Sequence, residues 1–222
     1  MKTRLFTSSL LIAVLWLTVI WTHPFIAAAA PAEPLSPDAA CNVSGIIGSD
    51  TTWSAATCDP YIVTGNVLVN SGVRLTIEPS TTVKFDSLKA MTVQGTLIAR
   101  GTAATPITFT SNLPSPAQGD WGFIYFADSS TDATIDGNGN YVSGSIIQYA
   151  VIEYAGGAST GLNGVLRIES ASPFIDHNTI RNNKANGIHV WGQDAPRRLT
   201  NNTISGNGSG QAYANGIYVG GV

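Results

Sequence analysis

The sequence predicts an all-β solenoid, a coil in which each turn is one repeat of the chain, and three observations lead to this prediction. Asn178-Thr179-Ile180 recurs as Asn202-Thr203-Ile204 after 24 residues, and Asn186-Gly187-Ile188 recurs as Asn215-Gly216-Ile217 after 29 residues. Short apolar runs alternate with turn signals, without the 3.6-residue stripe of a helix. Charged residues make up only 11% of a chain with 23 glycines, which suits short strands joined by tight turns.

The N-terminus has the layout of a secretory signal peptide, which we predict over residues 1–29. Basic residues precede an apolar run from Leu10 to Ile20, and the small residues Ala27 to Ala30 follow. An uncleaved anchor is the alternative, although the run is shorter than the ~20 apolar residues that a membrane span needs. Residues 30–40, rich in Pro and Ala, are predicted to be a disordered linker. We expect a secreted or cell-surface protein with no membrane association after cleavage.

The charge of the mature chain argues against nucleic-acid binding. Loss of two basic residues with the signal peptide leaves 9 basic against 14 acidic residues, so the formal charge moves from -3 to -5. The basic residues are scattered, and Arg197-Arg198 is the only adjacent pair. A nucleic-acid binder would instead need a clustered basic surface.

Cys41 and Cys58 are the only cysteines of the chain. In an oxidising compartment an isolated pair is most simply one disulfide, and the spacing fits neither a redox motif nor a zinc site. Closing a loop of this length contributes about 3 kcal/mol by the loop-entropy estimate. We therefore predict that residues 41–60 form an N-terminal cap fastened by this bond.

Strands are predicted throughout residues 41–222, which we assign to the solenoid domain. Turn signals such as Ser71-Gly72 and Glu78-Pro79-Ser80 separate them, and residues 127–144 form the longest interruption. A short amphipathic capping turn before Tyr61 is the one helical element considered. The predicted strands that precede the clear repeats are Val43 to Ile47, Tyr61 to Val69, Arg74 to Ile77, Thr82 to Phe85, Met91 to Ala99, Ile107 to Thr110, Trp121 to Phe126 and Ser145 to Tyr154.

Several of these runs resemble a known family. Leu75 to Phe85, Val93 to Ala99 and Pro106 to Ser111 are similar to the opening coils of secreted bacterial right-handed parallel β-helix repeat proteins, and Trp121 to Phe126 and Ile152 to Tyr154 match the same pattern. The resemblance extends from the first cysteine to the C-terminus and implies a right-handed parallel β-helix. Pectate lyases and polygalacturonases share this coil, so the resemblance is specific for the fold and weak for function.

The resemblance also implies which residues occupy the turns. Each strand would pair in parallel with the strands one turn above and below, with apolar residues stacked inside. Asn178 and Asn202 are candidates for a hydrogen-bonded asparagine ladder, and solvated turn residues are the alternative. Ser80 stands where the family pattern usually has Gly, which affects one turn and not the fold.

Aligning the strands by their inward residues predicts one outward surface. If Ile124, Leu166, Ile188 and Ile217 stack inside, alternation turns the residues that follow them outward. Adjacent coils lie ~4.8 Å apart, so neighbours in such a column touch. Aromatic and polar side chains here could stack on sugar rings and hydrogen-bond their hydroxyls, and ordinary surface residues are the alternative. The candidate ligand-binding residues are Tyr125, Arg167, Glu169, His189, Trp191 and Tyr218.

A non-catalytic module that binds a polysaccharide, a cell-surface glycan or another surface partner is the leading hypothesis. The alternative is a polysaccharide lyase or glycoside hydrolase acting on acidic polysaccharide, with active-site residues partly beyond the C-terminus. Hydrolysis needs two carboxyls, and only Glu169 lies in the predicted column. Ile180 and Ile204 occupy the positions of an Asp in polygalacturonases, and Arg167 or Arg181 would be the base of a lyase. No catalytic residue is assigned, and a structural stalk is the third reading.

No metal site is predicted, although one loop has the oxygen spacing of a calcium site. Asp136 to Asn140 alternates oxygen-bearing side chains, and Asp132 could add a ligand. Tyr141 stands in place of the required Gly, and Ile147 occupies the position where an EF-hand has Glu. A plain Gly/Asn turn is the favoured interpretation, so calcium stays a minor alternative.

Asp176 and His177 are adjacent and invite an acid–base interpretation. Neighbouring residues in a strand point to opposite faces, so we expect them to be apart. His177 is then a turn or surface histidine.

The last strand carries an expectation about association. Ile217 and Val219 would present an apolar edge in a coil that stops shortly after them, and such edges template pairing with another chain. We expect a chain that lacks its C-terminal coils, or one that associates end to end.

Overall fold

The fold is all-β, as the sequence predicted. A computed structural model describes residues 39–158, 164–192, 198–208 and 216–220. Over these residues the chain forms a parallel β-solenoid of about 6 turns with no helix, consistent with a right-handed parallel β-helix. None of the described segments is a helix long and apolar enough to cross a bilayer. The predicted signal peptide and most of the predicted linker lie outside the described residues.

Twenty strands lie within the described residues. In chain order they are β1 (Cys41–Ile47), β2 (Thr51–Trp53), β3 (Tyr61–Val69), β4 (Arg74–Ile77), β5 (Thr82–Phe85), β6 (Met91–Val93), β7 (Thr96–Arg100), β8 (Ile107–Ser111), β9 (Ile124–Phe126), β10 (Thr134–Ile135), β11 (Tyr141–Ser143), β12 (Ile146–Gln148), β13 (Ala150–Glu153), β14 (Gly164–Glu169), β15 (Phe174–Asp176), β16 (Thr179–Arg181), β17 (Asn186–Trp191), β18 (Arg198–Thr200), β19 (Thr203–Ser205) and β20 (Ile217–Val219).

Each turn of the coil contributes to three parallel faces. The first face has the order β19-β16-β13-β8-β5-β3, the second β3-β6-β9-β14-β17-β20, and the third β18-β15-β12-β7-β4-β2. The long strand β3 belongs to the first two faces, because residues 61–63 pair with β5 and residues 67–69 pair with β6. Strand β1 follows the same bend and pairs with both halves of β3.

The core is built from columns of inward side chains stacked from turn to turn. One column of the first face pairs residue to residue along the coil, and its central members are fully buried. Burying an aliphatic or aromatic side chain of this size contributes about 1.5 to 3 kcal/mol. This column comprises Tyr61, Val83, Phe109, Ile152, Ile180 and Ile204.

The corners between the third and first faces share a left-handed backbone. Tyr149, His177 and Asn201 occupy equivalent positions with φ of 50°, 54° and 56°. Ser80 lies at an earlier corner with φ of 67°, the conformation for which glycine is the usual residue. At each of these residues, the alternation of side chains between the inside and the outside of the coil is interrupted.

A corner at Gly95 divides what the sequence predicted as one strand from Met91 to Ala99. Strands β6 and β7 lie on either side of it, on different faces. A Cβ added at Gly95 would lie 2.2 Å from the carbonyl oxygen of Val73 and 2.3 Å from that of Asn70. Only glycine allows the backbone of the preceding turn to approach this closely.

Two asparagine ladders link consecutive turns. Asn178 donates from Nδ2 to Oδ1 of Asn202 at 3.0 Å, as the sequence predicted. Asn183 donates from Nδ2 to Oδ1 of Asn207 at 2.8 Å, in a second ladder that was not predicted although the pair has the same 24-residue spacing. Each amide also bonds the backbone of the neighbouring turn, so the ladders satisfy polar groups that the coil buries.

The predicted disulfide between Cys41 and Cys58 is present. It ties the start of β1 to the turn that precedes β3, and that turn contains backbone bonds from Thr57 and Cys58 to Ser54 rather than a helix. A disulfide is typical of proteins in an extracellular environment.

Other boundaries differ from the prediction in small ways. Strand β2 was missed, and the predicted loop over residues 127–144 contains the antiparallel hairpin β10–β11. In β20, Ile217 and Val219 are exposed, and the association predicted from them stays a prediction.

Candidate functional site

The second face carries the outward column that the sequence predicted. The strand register places Tyr125 beside Arg167, Arg167 beside His189, and His189 beside Tyr218. Glu169 pairs with Trp191 in the adjacent column. The predicted register is therefore confirmed for all six candidate residues.

The expectation that all six side chains are exposed is wrong for two of them. Arg167 is only 2% exposed and His189 8%. The arginine donates from Nε to the oxygen of Gly164 and from Nη2 to the oxygen of Ala158, both at 2.9 Å, and its guanidinium lies 3.7 Å from the ring centre of Phe123. Chain segments that follow β13 and precede β9 thus cover this part of the face, which strand alternation alone does not reveal.

Burial also affects the charge states of these two side chains. Desolvation lowers the pKa of Arg167 to about 10, so the guanidinium stays charged at neutral pH. Burial, followed by the positive charge of Arg167, lowers the pKa of His189. His189 is therefore neutral at neutral pH and acts as an aromatic ring rather than as a cation.

Tyr125, Glu169 and Trp191 form a half-buried group held together by one carboxylate. The hydroxyl of Tyr125 donates to Oε2 of Glu169, and Nε1 of Trp191 donates to Oε1 at 3.2 Å. The tyrosine and tryptophan rings are stacked with centres 5.9 Å apart and planes 12° apart. Burial and the bond to the carboxylate raise the pKa of Tyr125, so its hydroxyl remains a donor. The Glu169 carboxylate thus holds both rings in place.

The aromatic contacts continue beyond Trp191. The His189 ring lies 4.9 Å from the ring of Trp191 and 4.9 Å from that of Tyr218, which is 43% exposed. Tyr125, Glu169, Trp191, His189 and Tyr218 are thus in continuous contact, and we call them the aromatic strip.

The two arginines considered as bases lie in different surroundings. Arg167 is covered, and Arg181 on the first face has its Nε 3.0 Å from Oε2 of Glu153. Within the described ranges, no three His, Cys, Asp or Glu side chains group closely enough to hold a metal ion.

The loop considered for calcium is organised by its own hydrogen bonds. Asp136 accepts from the backbone nitrogens of Asn138 and Asn140 and from the side chain of Asn140, at 2.7 to 2.9 Å. The bond from the Asn140 side chain is the largest of the effects that lower the pKa of Asp136. Asp132 is engaged elsewhere, since it accepts from the backbone nitrogen of Ser172 at 2.7 Å. The Gly/Asn turn interpretation fits this geometry.

The prediction that Asp176 and His177 point apart is wrong. His177 Nδ1 lies 2.6 Å from Oδ2 of Asp176. His177 occupies a left-handed corner, so the alternation of β15 has already ended where this side chain begins. The repeat contained a signal for this corner, because it aligns His177 with Asn201, and both residues have a left-handed backbone. His177 is nevertheless a turn histidine, as expected.

The fold and the aromatic strip define a parallel β-solenoid with an aromatic surface on one face. The chain belongs to the family described as pectate-lyase like beta helix domain, whose sequence profile matches residues 45–169, more than half of the chain. No curated protein and no solved structure is similar enough to be a match. The matched segment ends at Glu169, so His189, Trp191 and Tyr218 lie beyond it.

Proposed function

We propose that the protein is an exported, non-catalytic β-helix module that binds a glycan through the aromatic strip. The observation that supports this is the group formed by Tyr125, Glu169 and Trp191, in which one carboxylate orients two stacked rings on an accessible face. Tyr218 extends the surface along the coil axis. A sugar chain lying along the axis would meet these residues in succession.

The strip offers both kinds of contact that a sugar needs. The half-buried ring of Trp191 and the exposed ring of Tyr218 can pack against the apolar faces of pyranose rings. Each oxygen of Glu169 accepts one hydrogen bond from the strip, and a carboxylate has about four acceptor sites. Glu169 therefore retains acceptor capacity for sugar hydroxyls.

The strip supports binding better than catalysis. Glycoside hydrolysis uses two carboxyl groups about 5 to 9.5 Å apart across the scissile bond. Glu169 is the carboxylate of the strip, and it is committed to orienting Tyr125 and Trp191. An orienting carboxylate with fixed aromatic neighbours is what a rigid binding surface requires.

A glycan array probed with the purified, secreted protein tests this function. Trp191→Ala should weaken binding to the selected glycan about 10- to 100-fold, since buried aromatic anchors at interfaces contribute about 1.4 to 3 kcal/mol. Ile46→Ala is the control, because Ile46 is an exposed apolar residue in the outward column of Tyr125, at the far end of the face. Equal binding by wild type and Trp191→Ala would remove the strip as the site.

A further inference from the structure

A cleft lies on the third face, away from the aromatic strip. The hairpin β10–β11 overhangs this face, and the cleft between them has a volume of about 360 Å³. Tyr141 of the hairpin packs against Phe174 with ring centres 5.8 Å apart, and a Cβ added at Gly139 would meet the guanidinium of Arg198. The hairpin is thus held against the coil and forms one wall of the cleft.

The floor of the cleft is a ladder of polar side chains from four successive turns. The register aligns Arg100, Gln148, Asp176 and Thr200 along the third face. Arg100 donates from Nε to Oε1 of Gln148 at 2.9 Å, and Gln148 donates from Nε2 to Oδ2 of Asp176 at 2.8 Å. These bonds fix the position of the carboxylate relative to the arginine.

The acceptor sites of the Asp176 carboxylate are all filled by hydrogen-bond donors, and the residue is 5% exposed. Burial by itself raises the pKa of this carboxyl, but its hydrogen bonds outweigh burial and hold the pKa below the usual range. The carboxylate is therefore an orienting group that is ionised at neutral pH. Its four donors are His177 Nδ1 (2.6 Å), Thr200 Oγ1 (2.7 Å), Gln148 Nε2 (2.8 Å) and Asn201 Nδ2 (3.0 Å).

The bond to Asp176 determines which nitrogen of His177 faces a ligand. An ionised carboxylate only accepts hydrogen bonds, so Nδ1 carries a proton and Nε2 is the nitrogen left for other contacts. The ring stacks on Tyr149 with centres 4.8 Å apart, and the side chain is 42% exposed at the edge of the cleft. His177 is thus oriented and accessible at once.

The charges lining the cleft favour an anion. Arg100 and Arg198 contribute two guanidinium groups against the single carboxylate of Asp176, whose acceptor sites are filled. Among the residues that the structure describes, the buried Nε of Arg198 has no hydrogen-bond partner.

We propose that this cleft binds an oxyanion group, a carboxylate, sulfate or phosphate carried by a saccharide or another small molecule. Arg100 and Arg198 supply the charge, and His177 lies at the edge of the cleft. The site shares no residue with the aromatic strip, so the two proposals stand or fall separately.

The experiment is a calorimetric titration of the full-length secreted protein with sodium sulfate at pH 7.5 and constant ionic strength. We expect saturable binding of sulfate. Phosphate and acetate arms at the same pH distinguish the three oxyanions.

Two variants locate the site. Arg198→Gln should weaken sulfate binding at least tenfold, and Arg181→Gln, which removes an arginine of the first face, should leave it unchanged. If Arg198→Gln unfolds, Arg100→Gln replaces it. No saturable binding by wild type, or undiminished binding by both Arg198→Gln and Arg100→Gln, overturns the proposal.

Discussion

The asparagine ladder makes a stability prediction that follows directly from its hydrogen bonds. In Asn178→Ala the backbone nitrogen of Ala150 loses its acceptor, 2.9 Å away, and the carbonyl of Ile147 loses its donor, 2.8 Å away. Asn178 is buried, and each backbone group left unsatisfied in the interior costs about 1 to 3 kcal/mol. We therefore expect the free energy of unfolding to fall by about 3 kcal/mol.

Urea denaturation followed by circular dichroism measures this loss. For a domain of this size, with a slope of about 2 kcal/mol per molar, the midpoint should move down by about 1.5 M. Asn42→Ala, which removes an exposed asparagine of β1, is the matched control and should change stability by less than about 0.5 kcal/mol.

The isosteric variant Asn178→Asp separates hydrogen bonding from packing. It keeps the volume but replaces the donor Nδ2 with an oxygen that faces the carbonyl of Ile147 and Oδ1 of Asn202. This variant should be at least as unstable as Asn178→Ala at pH 7, and it should recover stability at acid pH as the carboxyl gains a proton. Equal stability of Asn178→Ala and Asn42→Ala would refute the reasoning.

Four further predictions concern corners, the cap and the third face. Ser80→Gly should raise the thermal midpoint, because glycine adopts the left-handed backbone without strain. The strain energy removed should exceed the entropy cost of glycine by up to about 1 kcal/mol. Gly95→Ala should strongly destabilise the coil in urea, since the new methyl meets two carbonyl oxygens. Reduction of the bond from Cys41 should lower stability by about 3 kcal/mol, and unchanged melting in dithiothreitol would contradict this. The pKa of Asp176 is lower in the folded protein than the value of 3.8 in the unfolded chain, so the ionised carboxylate stabilises the fold above that pH. This stabilisation disappears as the pH falls through the folded-state pKa, and Asp176→Asn should therefore flatten the acid limb of a stability–pH profile.

The sequence was sufficient to predict the register of the second face because inward and outward residues alternate in β9, β14 and β17. Ile124, Leu166 and Ile188 stack in the core, and their neighbours emerge on the second face in the predicted pairs. Alternation says nothing about what covers an outward residue. Arg167 is buried by chain segments from neighbouring connections, and their packing depends on contacts between distant parts of the sequence.

Corners are the other place where prediction from periodicity failed. His177 follows a strand residue directly, and a two-residue period assigns it to the opposite face from Asp176. A single left-handed φ overrides the period and brings the two side chains together. Repeats aligned turn by turn contain this information, because Tyr149, His177 and Asn201 fall at one position, but the strand pattern within a turn does not.

The hairpin β10–β11 shows how such a coil acquires new surfaces. Strand β12 pairs with β7 without a shift in register, although the chain between them makes a long excursion that includes the hairpin. Lengthening a surface loop is thermodynamically cheap, since each doubling of its length costs about 0.6 kcal/mol. A connection between two faces can therefore grow by insertion while the rungs on either side keep their partners. The third-face cleft owes one wall to this insertion, so related coils with shorter connections at the same corner would retain the fold and lack the cleft.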